Sequence, residues 1–194
     1  MEAAARAGHL AECADCAARI EEELALASNL ALALQPVAPS PPTWARLAGS
    51  LDGRFARFTA RCAELLDIAA EKARALLEAA DGPDGWIAGL PGVSIFHLEG
   101  GPAVEGAITG FIRLEPGAVF AEHLHLGDEV NLVLQGGLQS SDGKVAWAGQ
   151  ELAMPAGSRH TLSALPGAPL IYLGVSLQGI EMAGEPVGPD DPRA

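Results

Sequence analysis

Apolar side chains repeat with two different periods along this chain, one helical and one extended. Ile20, Leu24, Ala27, Ala31 and Leu34 recur at i, i+4, i+7, i+11 and i+14, so one apolar stripe runs along a helix predicted from His9 to Leu34. Pro36, Pro39, Pro41 and Pro42 stop that helix and make residues 36–42 a stiff linker. Thr43 is placed to cap a short helix carrying Trp44 and Leu47. A second stripe follows at Leu51, Phe55, Phe58, Cys62, Leu65 and Leu66, and Asp67 is placed to cap a further helix holding Ile68, Leu76 and Leu77. Near Asp81-Gly82-Pro83 the composition switches. Beyond it, short β-branched runs at 93–98, 108–114, 130–134, 145–147, 151–154, 161–165 and 170–177 alternate with turn signals such as Gly136-Gly137, Asp142-Gly143 and Pro166-Gly167. The expected fold class is α+β. A small all-α domain at residues 1–80 leads through a connection at 81–92 to an antiparallel, jelly-roll-like β-barrel at 93–184, and the acidic, proline-rich residues 185–194 form a disordered tail.

Charge sharpens this division and excludes one class of function. The formal net charge is -13. Residues 1–80 carry 11 acids against 8 bases and residues 81–194 carry 14 against 4, so the acidity belongs mainly to the β half. No cationic stripe exists for direct nucleic-acid binding. No apolar run approaches the roughly 20 residues that span a bilayer, and Arg6, His9 and Glu12 break the N-terminus unlike a signal peptide, so no membrane association and a cytoplasmic location are expected. Three cysteines, two of them in Cys13-x-x-Cys16, suit metal or redox use better than a disulfide framework.

Four of the five histidines lie beyond residue 90. In a strand, His123 and His125 point to one face, Glu129 can approach the same centre from the next strand after a turn through Gly127, and His160 follows the turn Pro155-Ala156-Gly157. Three imidazoles and a carboxylate suit a divalent ion: zinc is favoured, and Fe, Mn, Ni and Co fit the same donors. His97 reads as an ordinary strand histidine, Trp147, Phe111, Phe120 and Tyr172 as core aromatics, and Cys62 as a buried thiol. Gly117, His123, His125, Glu129 and Gly136 match G-x5-H-x-H-x3-E-x6-G, and Gly149, Pro155, Gly157 and His160 match G-x5-P-x-G-x2-H. On these two motifs residues 90–182 resemble the cupin superfamily. The resemblance implies a metal-holding β-barrel with His123, His125, Glu129 and His160 as ligands, and a homodimer. It departs at Ala164, where that family often has an asparagine.

His9, Cys13 and Cys16 stand at i, i+4 and i+7, on one side of the first helix, where a second zinc could be shared. The pattern His9-x3-Cys13-x2-Cys16 resembles the zinc-binding anti-sigma factors, and its combination with a C-terminal cupin resembles their ChrR-like subgroup. That resemblance implies that the helical domain sequesters an extracytoplasmic-function sigma factor and that the protein responds to oxidative stress, such as singlet oxygen, or to a small ligand. It also implies a fourth ligand, a histidine from a preceding helix. Only eight residues precede His9, so this position is left to an earlier start of the chain, to water, Glu2, Glu12 or Cys62, or the site has decayed. The alternative reading is a metal-dependent cupin enzyme of dioxygenase or isomerase type. It has no assigned catalytic residue, the general-base candidates being an outward-facing Glu122, Asp128 on a turn, and Tyr172.

Overall fold

The computed structural model describes residues 9, 13–33, 40, 53–189 and 191. The chain divides into two compact units, residues 1–49 and 50–194. In the first, helix α1 spans Ala14–Ala33, a segment rich in Ala, Leu and Glu and free of Gly and Pro, with Asp15 in its first turn where the helix dipole favours a negative charge. His9 is itself in helical conformation, and its carbonyl accepts the Cys13 N–H at 2.9 Å. Leu34, most of the proline-rich linker and the short helix expected around Trp44 and Leu47 lie outside the described residues.

The second unit opens with a 3-10 turn, Ala56–Phe58, and helices α2 (Thr59–Leu66) and α3 (Ala70–Asp81). Asp67 does not cap α3 as the sequence suggests. It ends α2 in the left-handed region at φ 53°, its N–H bonding back to the Ala63 and Glu64 carbonyls, while its carboxylate accepts the Ala103 N–H at 2.8 Å. Ala69 occupies the N-cap of α3 without a side-chain bond.

Twelve strands follow among the described residues: β1 (Ile87–Ala88), β2 (Val93–His97), β3 (Ile108–Leu114), β4 (Val119–His125), β5 (Glu129–Gln135), β6 (Gly137–Ser140), β7 (Val145–Trp147), β8 (Glu151–Met154), β9 (Arg159–Ala164), β10 (Leu170–Ser176), β11 (Ile180–Met182) and β12 (Glu185–Val187). They pair antiparallel into two six-stranded sheets, ordered β1-β2-β3-β10-β5-β8 and β12-β11-β4-β9-β6-β7. The jelly-roll-like architecture is therefore present as two facing sheets of a cupin-like sandwich. Strands β1, β6, β11 and β12, of two to four residues, are additional to the runs predicted, and β4 was anticipated only through the shared face of His123 and His125. The tail expected to be disordered from Glu185 instead begins with β12, which pairs with β11 and buries Val187.

Two cores sit on opposite faces of the first sheet. Leu114, Val133, Leu170 and Tyr172 point inward and meet Phe120, Leu138 and Leu162 of the second sheet. Phe111, Leu132, Leu134, Ile171, Leu173 and Val175 alternate outward and meet Phe58, Cys62, Leu66 and Leu77 of the helices. Strand β10 is accordingly buried along its whole length. The boundary expected at residues 81–92 falls inside the second unit, because the apolar stripe of residues 55–80 finds its partner on the back of the sheet. Trp147, expected in the core, is 53% exposed on edge strand β7, its ring lying over Gly137. No helix among the described residues is long and apolar enough to cross a membrane.

Leu66 is fully buried between helix and sheet, so Leu66→Ala should cost about 3 kcal/mol. Urea unfolding of the whole chain should show that loss equally in its helical and strand circular-dichroism signals, since α2 and the sheet share one core.

Candidate metal centre

The centre is built from one pair of facing residues. His123 on β4 stands directly opposite His160 on β9. Between Phe120 and His123 the register of β4 shifts, and this bulge lets two residues an odd number of positions apart both face inward. His125, two residues further on, shares the inward face. Glu129 opens β5 and comes from the opposite sheet. Gly157, at φ 79° in the turn Pro155-Ala156-Gly157, brings the chain back for β9.

The donor atoms converge. His160 Nε2 lies 2.9 Å from His125 Nε2 and 3.1 Å from His123 Nε2, and His125 Nε2 lies 3.4 Å from Glu129 Oε2. The four ligand atoms all fall within 4.8 Å of one another, and the histidines are 1–2% exposed. His123 Nδ1 faces the Ala121 carbonyl at 2.9 Å; a carbonyl only accepts, so Nδ1 carries the proton and Nε2 turns its lone pair to the centre. His160 Nδ1 pairs with the Ser140 hydroxyl at 2.9 Å. These are the outer contacts that orient metal-ligating imidazoles. Asn131 donates its side-chain N–H to Glu129 Oε2 at 3.1 Å. His125 Nδ1 and Asn131 Oδ1 are buried without a protein partner.

Electrostatics fit a cation. Burial lowers the pKa of all three imidazoles, His125 to about 3 and His160 to about 4; charge on His123 lowers both of these further, while at His123 the Ala121 carbonyl acts against the shift. They are neutral donors at neutral pH. Burial pushes Glu129 up to about 7, the Asn131 hydrogen bond acting against it. A buried carboxylate beside three lone pairs is stabilised by a positive ion, and this donor set is one that divalent transition metals take. The cluster could therefore hold a divalent ion.

The other predicted residues are accounted for individually. His9, Cys13 and Cys16 also bring their ligand atoms within 4.8 Å of one another, with His9 exposed and the cysteines half-buried. The Cys16 backbone N–H lowers the Cys13 thiol pKa, while the hydrogen bond to Cys13 raises that of Cys16. Of the residues considered for a fourth ligand, Glu2 and Glu12 lie outside the described residues, and Cys62 is buried in the second unit's own core, its thiol pushed up to about 12 by burial. His97 is exposed. Glu122 faces outward, 3.6 Å from Arg159, and Asp128 accepts the Ala156 N–H at 2.9 Å and so ties two turns together. Phe120 and Tyr172 are core aromatics that also wall a cavity of about 40 Å³ beside His123 and Glu129. Ser140 and Asn131 were not anticipated. Asn131, two residues after Glu129 on an alternating strand, was within reach of the sequence pattern; Ser140, on the unpredicted β6, was not.

In the metal-free chain, unfolding exposes His123, His125 and His160, which take up protons near their ordinary pKa of about 6.5. Folded His160 and His125 stay neutral down to about 4 and about 3, so the unfolded state binds more protons in that window and stability falls as pH drops below about 6.5. Glu129 acts oppositely: its raised pKa makes its contribution fall as pH rises from about 4.5 to about 7. Thermal unfolding of chelator-treated protein should show reduced acid sensitivity for His125→Leu/His160→Leu, and Glu129→Gln should remove the loss on the alkaline side.

The model of the ChrR cupin-like domain family matches residues 74–175. No curated protein matches the chain. Among solved structures, a chain in the crystal structure of Rhodobacter sphaeroides SigE in complex with the anti-sigma ChrR is similar at 25% identity, over 87% of this chain and 84% of that one, with a TM-score of 0.47. An acetylacetone dioxygenase from Acinetobacter johnsonii is similar at 17% identity over 55% and 81%, TM-score 0.46. A predicted oxalate decarboxylase from Thermotoga maritima is similar at 22% identity over 47% and 89%, TM-score 0.41.

Proposed function

Because the chain belongs to the family of ChrR cupin-like domains, we propose that it is a cytoplasmic anti-sigma-type regulator that sequesters an extracytoplasmic-function sigma factor and responds to oxidative stress or a small ligand. The observation that carries this reading is a second donor cluster, His9, Cys13 and Cys16, on the helix that precedes the family domain in sequence. One motif supplies a zinc-dependent partner-binding segment, the other a sensor. Ile20 and Leu26 on α1 are 41% and 59% exposed, apolar side chains of the kind that a partner helix covers. A zinc ion held by His9, Cys13 and Cys16 ties the start of α1 together, and oxidation of either sulfur withdraws a ligand from it.

In the second unit, His123, His125, Glu129 and His160 hold a divalent ion, zinc favoured, which supplies a buried positive centre. Asn131 and Ser140 keep two of those side chains in place. The enzyme alternative draws little from the site: Glu122 points to solvent, Asp128 is committed to a turn, and burial raises the Tyr172 pKa well above its ordinary value and keeps the phenol protonated, so none of the three stands ready as a general base.

Two ions per chain are expected by metal analysis of protein prepared with zinc. Cys13→Ser/Cys16→Ser should carry one and lose the sigma factor in co-purification, whereas His123→Ala/His160→Ala should carry one and retain the partner. Failure of the unaltered zinc-bound chain to form a complex at micromolar concentrations would rule the reading out.

A further inference from the structure

Metal binding leaves part of the sandwich interior unexplained. The cavity beside His123 and Glu129 is walled by Ile95, Ile112, Phe120 and Ile180, with the Tyr172 phenol among them. Tyr172 is 3% exposed and lines the cavity. Next to it, Asn131 leaves its buried side-chain oxygen unpaired. Gly174 keeps the floor open: a Cβ there would lie 3.1 Å from Ile112 Cδ1, 3.2 Å from Asn131 Oδ1 and 3.5 Å from the Tyr172 ring. A wider apolar chamber of about 270 Å³, bounded by Leu90, Val93 and Met182, shares Ile95 and Phe120 with the cavity as common walls. Phe120 in turn meets His123 edge to face, ring centroids 5.2 Å apart.

We propose that the two chambers together bind one aliphatic monocarboxylate, its carboxylate beside Tyr172 and the four-residue cluster and its chain extending past Ile95 and Phe120. The inference rests on the cluster holding a divalent ion. Room of about 40 Å³, at roughly 10–15 Å³ per water-sized occupant, takes about three non-hydrogen atoms, the size of a carboxylate. The tail then belongs in the outer chamber, whose side-chain lining is apolar, with no charged or hydroxyl group. Charge selects the head. A divalent ion with three neutral imidazoles and one carboxylate leaves one positive charge in excess, which a single anionic group cancels. No Lys or Arg lines either chamber, so a phosphate would bring charge that nothing offsets, while an alcohol would leave the excess standing. The Tyr172 O–H donates to the carboxylate. A tail between Ile95 and Phe120 presses on the ring that touches His123, which links occupancy to the metal centre.

Calorimetric titration of hexanoate into the zinc-loaded full-length chain, with 1-hexanol and hexyl phosphate in parallel and metal content measured on the same samples, tests this. One hexanoate should bind per chain, at least about tenfold tighter than either comparator. Tyr172→Phe should weaken hexanoate by about tenfold with metal content unchanged, the loss expected for a hydrogen bond to a charged group. Gly174→Ala should also weaken it, with folding checked by circular dichroism. If the cluster holds its ion and hexanoate binds no tighter than hexanol, or binds equally well to Tyr172→Phe, the inference falls and the regulatory reading stands. If the cluster takes up no ion, the inference falls, while the regulatory reading keeps its own test in complex formation with the sigma factor.

Discussion

His123 and His160 face each other across two neighbouring strands, and the rest of the centre is arranged around that pair. The pairing holds only because β4 changes register between Phe120 and His123. With an unbroken ladder, Phe120 and His123 would point to opposite faces, and either the aromatic wall or an imidazole would be lost from the interior. The bulge places both inside. Three ring nitrogens then lie about one ligand edge apart, with Glu129 reaching across from the opposite sheet.

Collecting neutral imidazoles and a carboxylate in an apolar interior is unfavourable unless something answers their lone pairs and charge. The lowered histidine pKa values and the raised one of Glu129 express that cost in titration. Ala121, Ser140 and Asn131 satisfy part of the demand from outside the cluster. A cation satisfies the remainder, and in the metal-free chain acid and base strain the site through different residues.

The first sheet couples this interior to the helices. Its strands β3, β5 and β10 are apolar on both faces: Tyr172 and Gly174 serve the inner chamber, while Ile171, Leu173 and Val175 hold Phe58, Cys62 and Leu66. Helices α2 and α3 are therefore built into the same unit as the strands. Arg61 of α2 adds a forked ion pair to Glu151 on the edge strand β8, tying the helix to the sheet's rim. Any shift of β10 that follows a change in the inner chamber is felt directly by α2, because the same strand packs on both.

The sequence by itself determined the donors. His123 and His125 share a face by strand alternation and His9, Cys13 and Cys16 stand on one side of a helix, both from local backbone geometry, while the two motif spacings marked Glu129 and His160 as companions of the first pair. The helical and strand halves were legible for the same reason, since each period repeats often enough to be seen. Tertiary structure alone decided where residues 55–81 dock, that Asp67 holds Ala103 rather than capping a helix, that Trp147 lies outside, and that Ser140 and Asn131 brace the centre. Each of those depends on which strand becomes whose neighbour, and that is set by burying two faces of one sheet at once. No single stretch of chain carries that information, because the pairings that decide it, such as β4 with β9 and β3 with β10, join segments far apart in sequence.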